Sequence, residues 1–80
     1  MITLKQFIKL IPYYQDYAVW YADIKVDIND YKCIMTEYPS DTKYIEIMKK
    51  YGKCPVKSIL AGKAEVLHIY LKEGSANNEI

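Results

Sequence analysis

The sequence contains no arginine. Every basic side chain is lysine, so two-pronged recognition of phosphate or guanine is excluded, and an anionic partner could be held only by point charges. Glycine and proline number three each, too few for a linker, a low-complexity tract or a glycine-rich phosphate loop. The soft metal ligands are Cys33, Cys54 and His68, and none has the close paired spacing of a zinc knuckle or ribbon. No metal and no cofactor is expected. A Ser-His-Asp order and a metalloprotease helix are both missing, and Asp23, Asp27 and Asp30 lack the glycine and bidentate acid of a calcium loop. Enzymatic activity is therefore not expected, and no small-molecule substrate is implied. No apolar run is long enough to span a bilayer, and Lys5 and Lys9 interrupt the N-terminal stretch where a signal peptide would lie. The expectation is a cytoplasmic chain whose two thiols stay reduced.

What is present is a folded composition. Hydrophobic residues make up 51% and charged residues 26%, far from the disordered range, over a length of 80 that suits one small domain with a thin core. The net charge of +1 conceals an asymmetry: Asp16, Asp23, Asp27, Asp30 and Glu37 dominate one stretch, whereas between Lys43 and Lys63 six lysines face Glu46 alone.

The segment Trp20 to Glu37 reads as a β-hairpin. Ala22, Ile24, Val26 and Ile28 alternate with Tyr21, Asp23, Lys25 and Asp27 at the period of a half-buried strand. Asn29 and Asp30 both tolerate positive φ and suit a two-residue type I′ turn. That turn would set Val26 opposite Cys33 and Ile24 opposite Met35, facing the core, with Tyr21 and Ile34 on the outer face.

Before the hairpin, Thr3 and Gln6 form a capping box, and Leu4, Phe7, Ile8 and Ile11 recur at helical spacing, predicting a helix from Leu4 to Ile11 that Pro12 stops. After it, Pro39, Ser40 and Asp41 predict a turn and an N-cap. The following helix carries Tyr44, Ile47, Met48 and Tyr51 on one stripe and closes at Gly52. The run from Val56 to Lys72 reads as a second hairpin around a type II′ turn at Gly62-Lys63, pairing Ile59 with Val66 and Val56 with Ile69. Leu60, Leu67, Ile69 and Leu71 then face the core, and Ile59, Val66, His68 and Tyr70 face outward. In this register Cys33 and His68 lie on opposite sides of the sheet, which argues against a Cys–His nucleophilic pair. The fold class is α+β, a four-stranded antiparallel sheet built from two hairpins with both helices on one face. Residues 1–73 form the single domain and 74–80 a flexible tail.

The excess is in tyrosine, nine against one Phe and one Trp. Codon bias and ordinary boundary packing account for part of it; rigid amphipathic rings are also what protein-binding surfaces use. The contact candidates are Tyr13, Tyr14 and Tyr17 in the first connection, with Tyr21, Ile34, Ile59, Val66 and Tyr70 on the outer sheet face.

The opening TLKQFIKLI and the closing VKSILAGKAEVLHIYL resemble a class of small, mostly uncharacterised proteins encoded by phages, prophages and mobile elements of low-G+C Gram-positive bacteria. The resemblance covers about 25 residues and rests on packing patterns, so no catalytic residue comes with it. It implies a product that binds a host or phage protein, inhibitors of defence nucleases being among such products. The expected function is a non-enzymatic protein-interaction module that binds a partner protein or a second copy of itself. The alternative is nucleic-acid binding, with sheet tyrosines stacking on bases and Lys43, Lys49, Lys50, Lys53 and Lys57 tracking phosphates. The missing arginine and near-neutral charge weigh against it.

Overall fold

A computed structural model describes residues 1–36, 40–62 and 65–76. Along the chain run α1 (Leu4–Ile8), β1 (Tyr17–Tyr21), a 3-10 turn (Ile28–Asp30), β2 (Lys32–Met35), α2 (Asp41–Tyr51), β3 (Val56–Ala61) and β4 (Leu67–Leu71). The class is α+β, with two α-helices and one four-stranded sheet in the order β2-β1-β4-β3. The sheet is mixed rather than antiparallel. β1–β2 and β3–β4 are antiparallel pairs, but β1 and β4 join in parallel at the centre, Tyr17 beside Leu67 and Val19 beside Ile69. The reason is α2: a single helix between two hairpins carries the chain back along the sheet before β3 begins. Joining the hairpins through their most apolar strands, YAVWY and LHIYL, then makes those two strands run the same way.

The first hairpin is not the predicted one. β1 begins earlier, at Tyr17, and ends at Tyr21. Residues 22–27 belong to no strand and Ile24 is 71% exposed. Asn29 and Asp30 lie in the 3-10 turn rather than a type I′ turn, because the Asp27 carboxylate accepts the Asn29 N–H at 3.2 Å and offers the backbone a local alternative to the ladder. The observed pairs are Val19–Met35, Trp20–Cys33 and Tyr21–Lys32, with an irregularity between Val19 and Trp20 that leaves Ile34 as an extra residue in β2. The phase is consequently reversed from the prediction at Tyr21, Cys33 and Ile34, whereas Ala22 and Met35 are buried as expected. Val19 and Tyr21 face the core, Ile34 packs against it beside Met35, and Cys33 is exposed.

The second hairpin holds half of its predicted pattern. Leu67, Ile69 and Leu71 share the inner face of β4, and Ile69 and Leu71 are fully buried. The register, however, pairs Ile59 with Ile69, Leu60 with His68 and Ala61 with Leu67. Relative to expectation it has slipped by an odd number of residues, so β3 is inverted: Leu60 joins His68 on the outer side and Ile59 turns to the inner side, each partly exposed on this edge strand. The connection is longer than a two-residue turn. Gly62 N–H donates to the Val66 carbonyl at 2.8 Å, and Glu65 takes φ +61. Lys63, and with it the proposed type II′ turn, lies outside the described residues, as do Tyr38, Pro39 and residues 77–80.

Helix signals fare better. Thr3 Oγ1 accepts from Gln6 N–H and Gln6 Oε1 from Thr3 N–H, the predicted capping box. α1 is shorter than predicted, because Lys9 caps it and the last turn toward Pro12 loosens. Its first two N–H groups, free in any helix, donate to the carbonyls of Cys54 (2.9 Å, from Leu4) and Gly52 (3.0 Å, from Lys5), tying the N-terminus to the end of α2. Ser40 caps α2, its Oγ accepting from Lys43 N–H. Gly52 caps its other end in right-handed rather than left-handed geometry, and a Cβ there would stand 2.4 Å from the Met48 carbonyl oxygen.

Both helices contribute to one core on the inner face of the sheet. Leu4 of α1 and Ile47 of α2 close over Val19, Tyr21, Met35, Cys54, Ile69 and Leu71. Burial pushes the Cys54 thiol pKa up, outweighing the opposing effect of a hydrogen bond with Ser75. Residues 74–76 are docked rather than loose. Gly74 N–H donates to the Ala22 carbonyl at 3.0 Å, Ala76 N–H to the Tyr21 hydroxyl at 3.0 Å, and Ala76 packs against the core. Gly74 has φ +66, a left-handed conformation that glycine takes without strain.

Candidate functional site

With both helices on the inner face, strand alternation sends Trp20 of β1, His68 and Tyr70 of β4, and Leu60 of β3 to the opposite face, together with Cys33 of β2, which pairs with Trp20; the changed register thus puts Cys33 and His68 on one side of the sheet and not on opposite sides as expected. The rings form a continuous row. Trp20 stacks on Tyr70 at 6.1 Å between centroids and 18° between planes, and Tyr70 meets Tyr31 edge-on at 5.6 Å. On the other side Trp20 Nε1–H donates to His68 Nδ1 at 3.1 Å, which requires the imidazole to carry its proton on Nε2. Space for this imidazole comes from Gly62, since a Cβ there would stand 2.4 Å from His68 Nε2. Trp20, His68 and Tyr70 remain half-buried and Leu60 is 48% exposed.

One end of the row is sealed by a charged cluster. Tyr31 is buried, its hydroxyl donating to Glu73 Oε1, while Lys57 Nζ also donates to Glu73, lies 3.3 Å from the Tyr31 hydroxyl and sits 5.7 Å from the centre of its ring. The hydrogen bonds from Lys57 and then Tyr31 hold the Glu73 carboxyl down at about 2, against an ordinary 4.5. Tyr31 is shifted up, by burial first and by its bond to Glu73 second. A carboxyl lowered in the folded state stabilises the fold above its ordinary pKa and loses that contribution as pH falls toward the folded value. Stability measured by urea unfolding should therefore drop between about pH 4.5 and about pH 2, and Glu73→Gln should flatten that part of the profile. An unchanged slope in the variant would show the cluster to be energetically idle.

The sequence-predicted contact residues are dispersed. Tyr70 alone lies in the aromatic row. Tyr21 is 4% exposed, its ring 4.9 Å from that of Tyr51, so it is a core residue and not a contact. Ile34 is drawn to the core by the extra residue in β2, and Tyr17 is half-buried against the same core, its hydroxyl pKa raised by burial and then by Tyr44. Ile59 is on the inner face of an edge strand, and Val66 lies in the β3–β4 connection. Tyr13 and Tyr14 are exposed, 97% and 74%, and pack edge-on against each other in the connection before β1. Trp20, Tyr31, Leu60 and His68 are not among those candidates, although His68 is expected on the outer face. Reading the strand from Tyr17, with Val19 inward, would have turned Trp20 outward.

The lysines of the nucleic-acid reading do not form one track along this face. Lys57 is committed to Glu73 and Tyr31, and Lys50 sits over Tyr51, 5.4 Å from the ring centre. Lys43 lies by Met35 and Thr36, and Lys49 and Lys53 line a groove between the helices. Nor do the acidic and basic stretches separate into opposite ends, because Asp23, Asp30, Lys32 and Lys50 line one depression. Among the described residues no group of three His, Cys, Asp or Glu side chains could hold a metal ion, and no helix is long and apolar enough to cross a membrane. Compared with known proteins, the chain matches no family model, no curated protein and no solved structure.

Proposed function

We propose that this chain is a non-enzymatic protein-interaction module whose contact surface is the outer face of the sheet, centred on Trp20, Leu60, His68 and Tyr70. The observation that supports this reading is the aromatic row itself: stacked rings and an exposed leucine on a face that neither helix covers. Trp and Tyr supply large contact area at small entropic cost, and Trp20 is already held in place by Tyr70 and His68, so little ordering remains to be done on binding. Lys57, at one end of this face, is neutralised by Glu73, which suits a largely apolar partner surface better than a phosphate backbone. The resemblance of the chain's two ends to phage and mobile-element proteins favours a host or phage protein in the cytoplasm as the partner, with self-association as the simplest case.

Trp20 is the only tryptophan, so its emission reports directly on this face. In self-association, light scattering shows a mass that rises with concentration, Trp20 emission moves to the blue, and Leu60→Asp abolishes both. Should the protein stay monomeric, an affinity pull-down from the host must retain a protein with the wild type and lose it with Leu60→Asp. A monomer whose two pull-downs are identical would remove the reading.

A further inference from the structure

The helical side of the molecule carries a second feature, distinct from the outer sheet face. Between α1 and α2 runs a groove of about 480 Å³ whose floor is formed by Tyr44, Ile45 and Met48. Ile45 is 57% exposed there, although it sits in the middle of α2 where a polar residue would serve solubility better. Lys5 and Lys9 stand on one rim and Lys49 and Lys53 on the other. Lys5 lies in α1 and Lys9 caps it, Lys49 lies in the last turn of α2 and Lys53 just past its cap, and no carboxylate lines the groove. Among the described residues none of the four rim lysines forms an ion pair.

Lysines near helix C-termini offset the helix dipole, and that accounts for Lys9, Lys49 and Lys53 singly. It does not account for an exposed isoleucine and a methionine set between two such pairs. We propose that this groove is a second binding site, one that takes an acidic amphipathic helix of a protein partner, its apolar stripe on Ile45 and Met48 and its carboxylates toward both rims. Apolar side chains flanked by lysines suit a helix-in-groove mode, in which apolar anchors at i, i+3, i+4 and i+7 enter and flanking charges set the register. Methionine adapts to irregular apolar shapes, and lysine stems lie along apolar surface while their ammonium groups reach outward. Single-stranded nucleic acid fits less well, because the floor offers only the half-buried Tyr44 for stacking and the rims offer no arginine.

The probe is a fluorescein-labelled synthetic helix with leucine at i, i+3, i+4 and i+7 and glutamate on both flanks, titrated by anisotropy against the folded protein. Wild type and Leu60→Asp should bind it equally, since the groove shares no residue with the outer sheet face. Lys49→Glu/Lys53→Glu and, separately, Lys5→Glu/Lys9→Glu should each weaken binding about tenfold or more, roughly 0.7 kcal/mol per reversed charge. The control Lys25→Glu/Lys43→Glu makes the same change in net charge outside the groove and should leave affinity within about twofold. The inference is overturned if the peptide does not bind, if the control weakens it as much as the groove variants, or if a single-stranded oligonucleotide or phosphatidylglycerol vesicles bind more tightly and lose that binding in the groove variants.

Discussion

Ile69→Ala should cost about 2–5 kcal/mol of folding stability, the range for truncating a fully buried aliphatic side chain. Ile69 is 0% exposed on a central strand, paired with Val19 on one side and Ile59 on the other, under the helical layer. A domain of this size has only about 5 kcal/mol in all, so the variant should be largely unfolded or melt more than about 10 °C below wild type. Ile69→Val, which removes one methylene, should cost about 1 kcal/mol and keep a cooperative transition. Urea unfolding followed by circular dichroism measures both. A loss below about 1 kcal/mol in the alanine variant would mean that the sheet's centre is not where the core lies.

Tyr21 gives the second large effect, and it separates the core assignment from a surface one. Its ring packs 4.9 Å from that of Tyr51 and its hydroxyl accepts the Ala76 N–H at 3.0 Å. Tyr21→Ala should therefore destabilise by about 3–5 kcal/mol, as large buried aromatics do. Tyr21→Phe keeps the ring, loses the acceptor, and should cost about 1 kcal/mol. Its signature is local: hydrogen exchange at the Ala76 amide should accelerate far more than exchange at Val19. Were Tyr21 a surface contact, as the alternation from Trp20 suggested, both substitutions would change stability by less than about 0.5 kcal/mol.

These two residues mark where the sequence could be read and where it could not. Helix starts follow from contacts within four residues, and Thr3 with Gln6 and Ser40 with Lys43 behave as their spacing predicts. The inner face of β4 was equally readable, because Leu67, Ile69 and Leu71 alternate without interruption. Strand phase in the first hairpin was not. The polar alternation from Ala22 to Ile28 imitates a strand, but Asp27 bonds its own neighbour and the ladder stops at Tyr21. The true phase depends on β4, which lies beside β1 only in three dimensions. The candidate site depends on the same phase: the alternation of β4 puts His68 and Tyr70 on the outer face, as expected, whereas alternation counted from Ala22 turns Trp20 inward. Tyr31 could not have been found, since its role rests on Lys57 and Glu73, each distant in the chain.

The parallel junction of β1 with β4 also bears on how the molecule assembles in time. Tyr17 meets Leu67 fifty residues further along a chain of 80. Closing so wide a loop precedes any gain from the contacts it enables, which slows the approach to the native state relative to a helical bundle of equal length. Until that closure, each hairpin is a lone two-stranded ribbon with its apolar side wet, and neither half, cut from the other, has enough buried surface to persist alone.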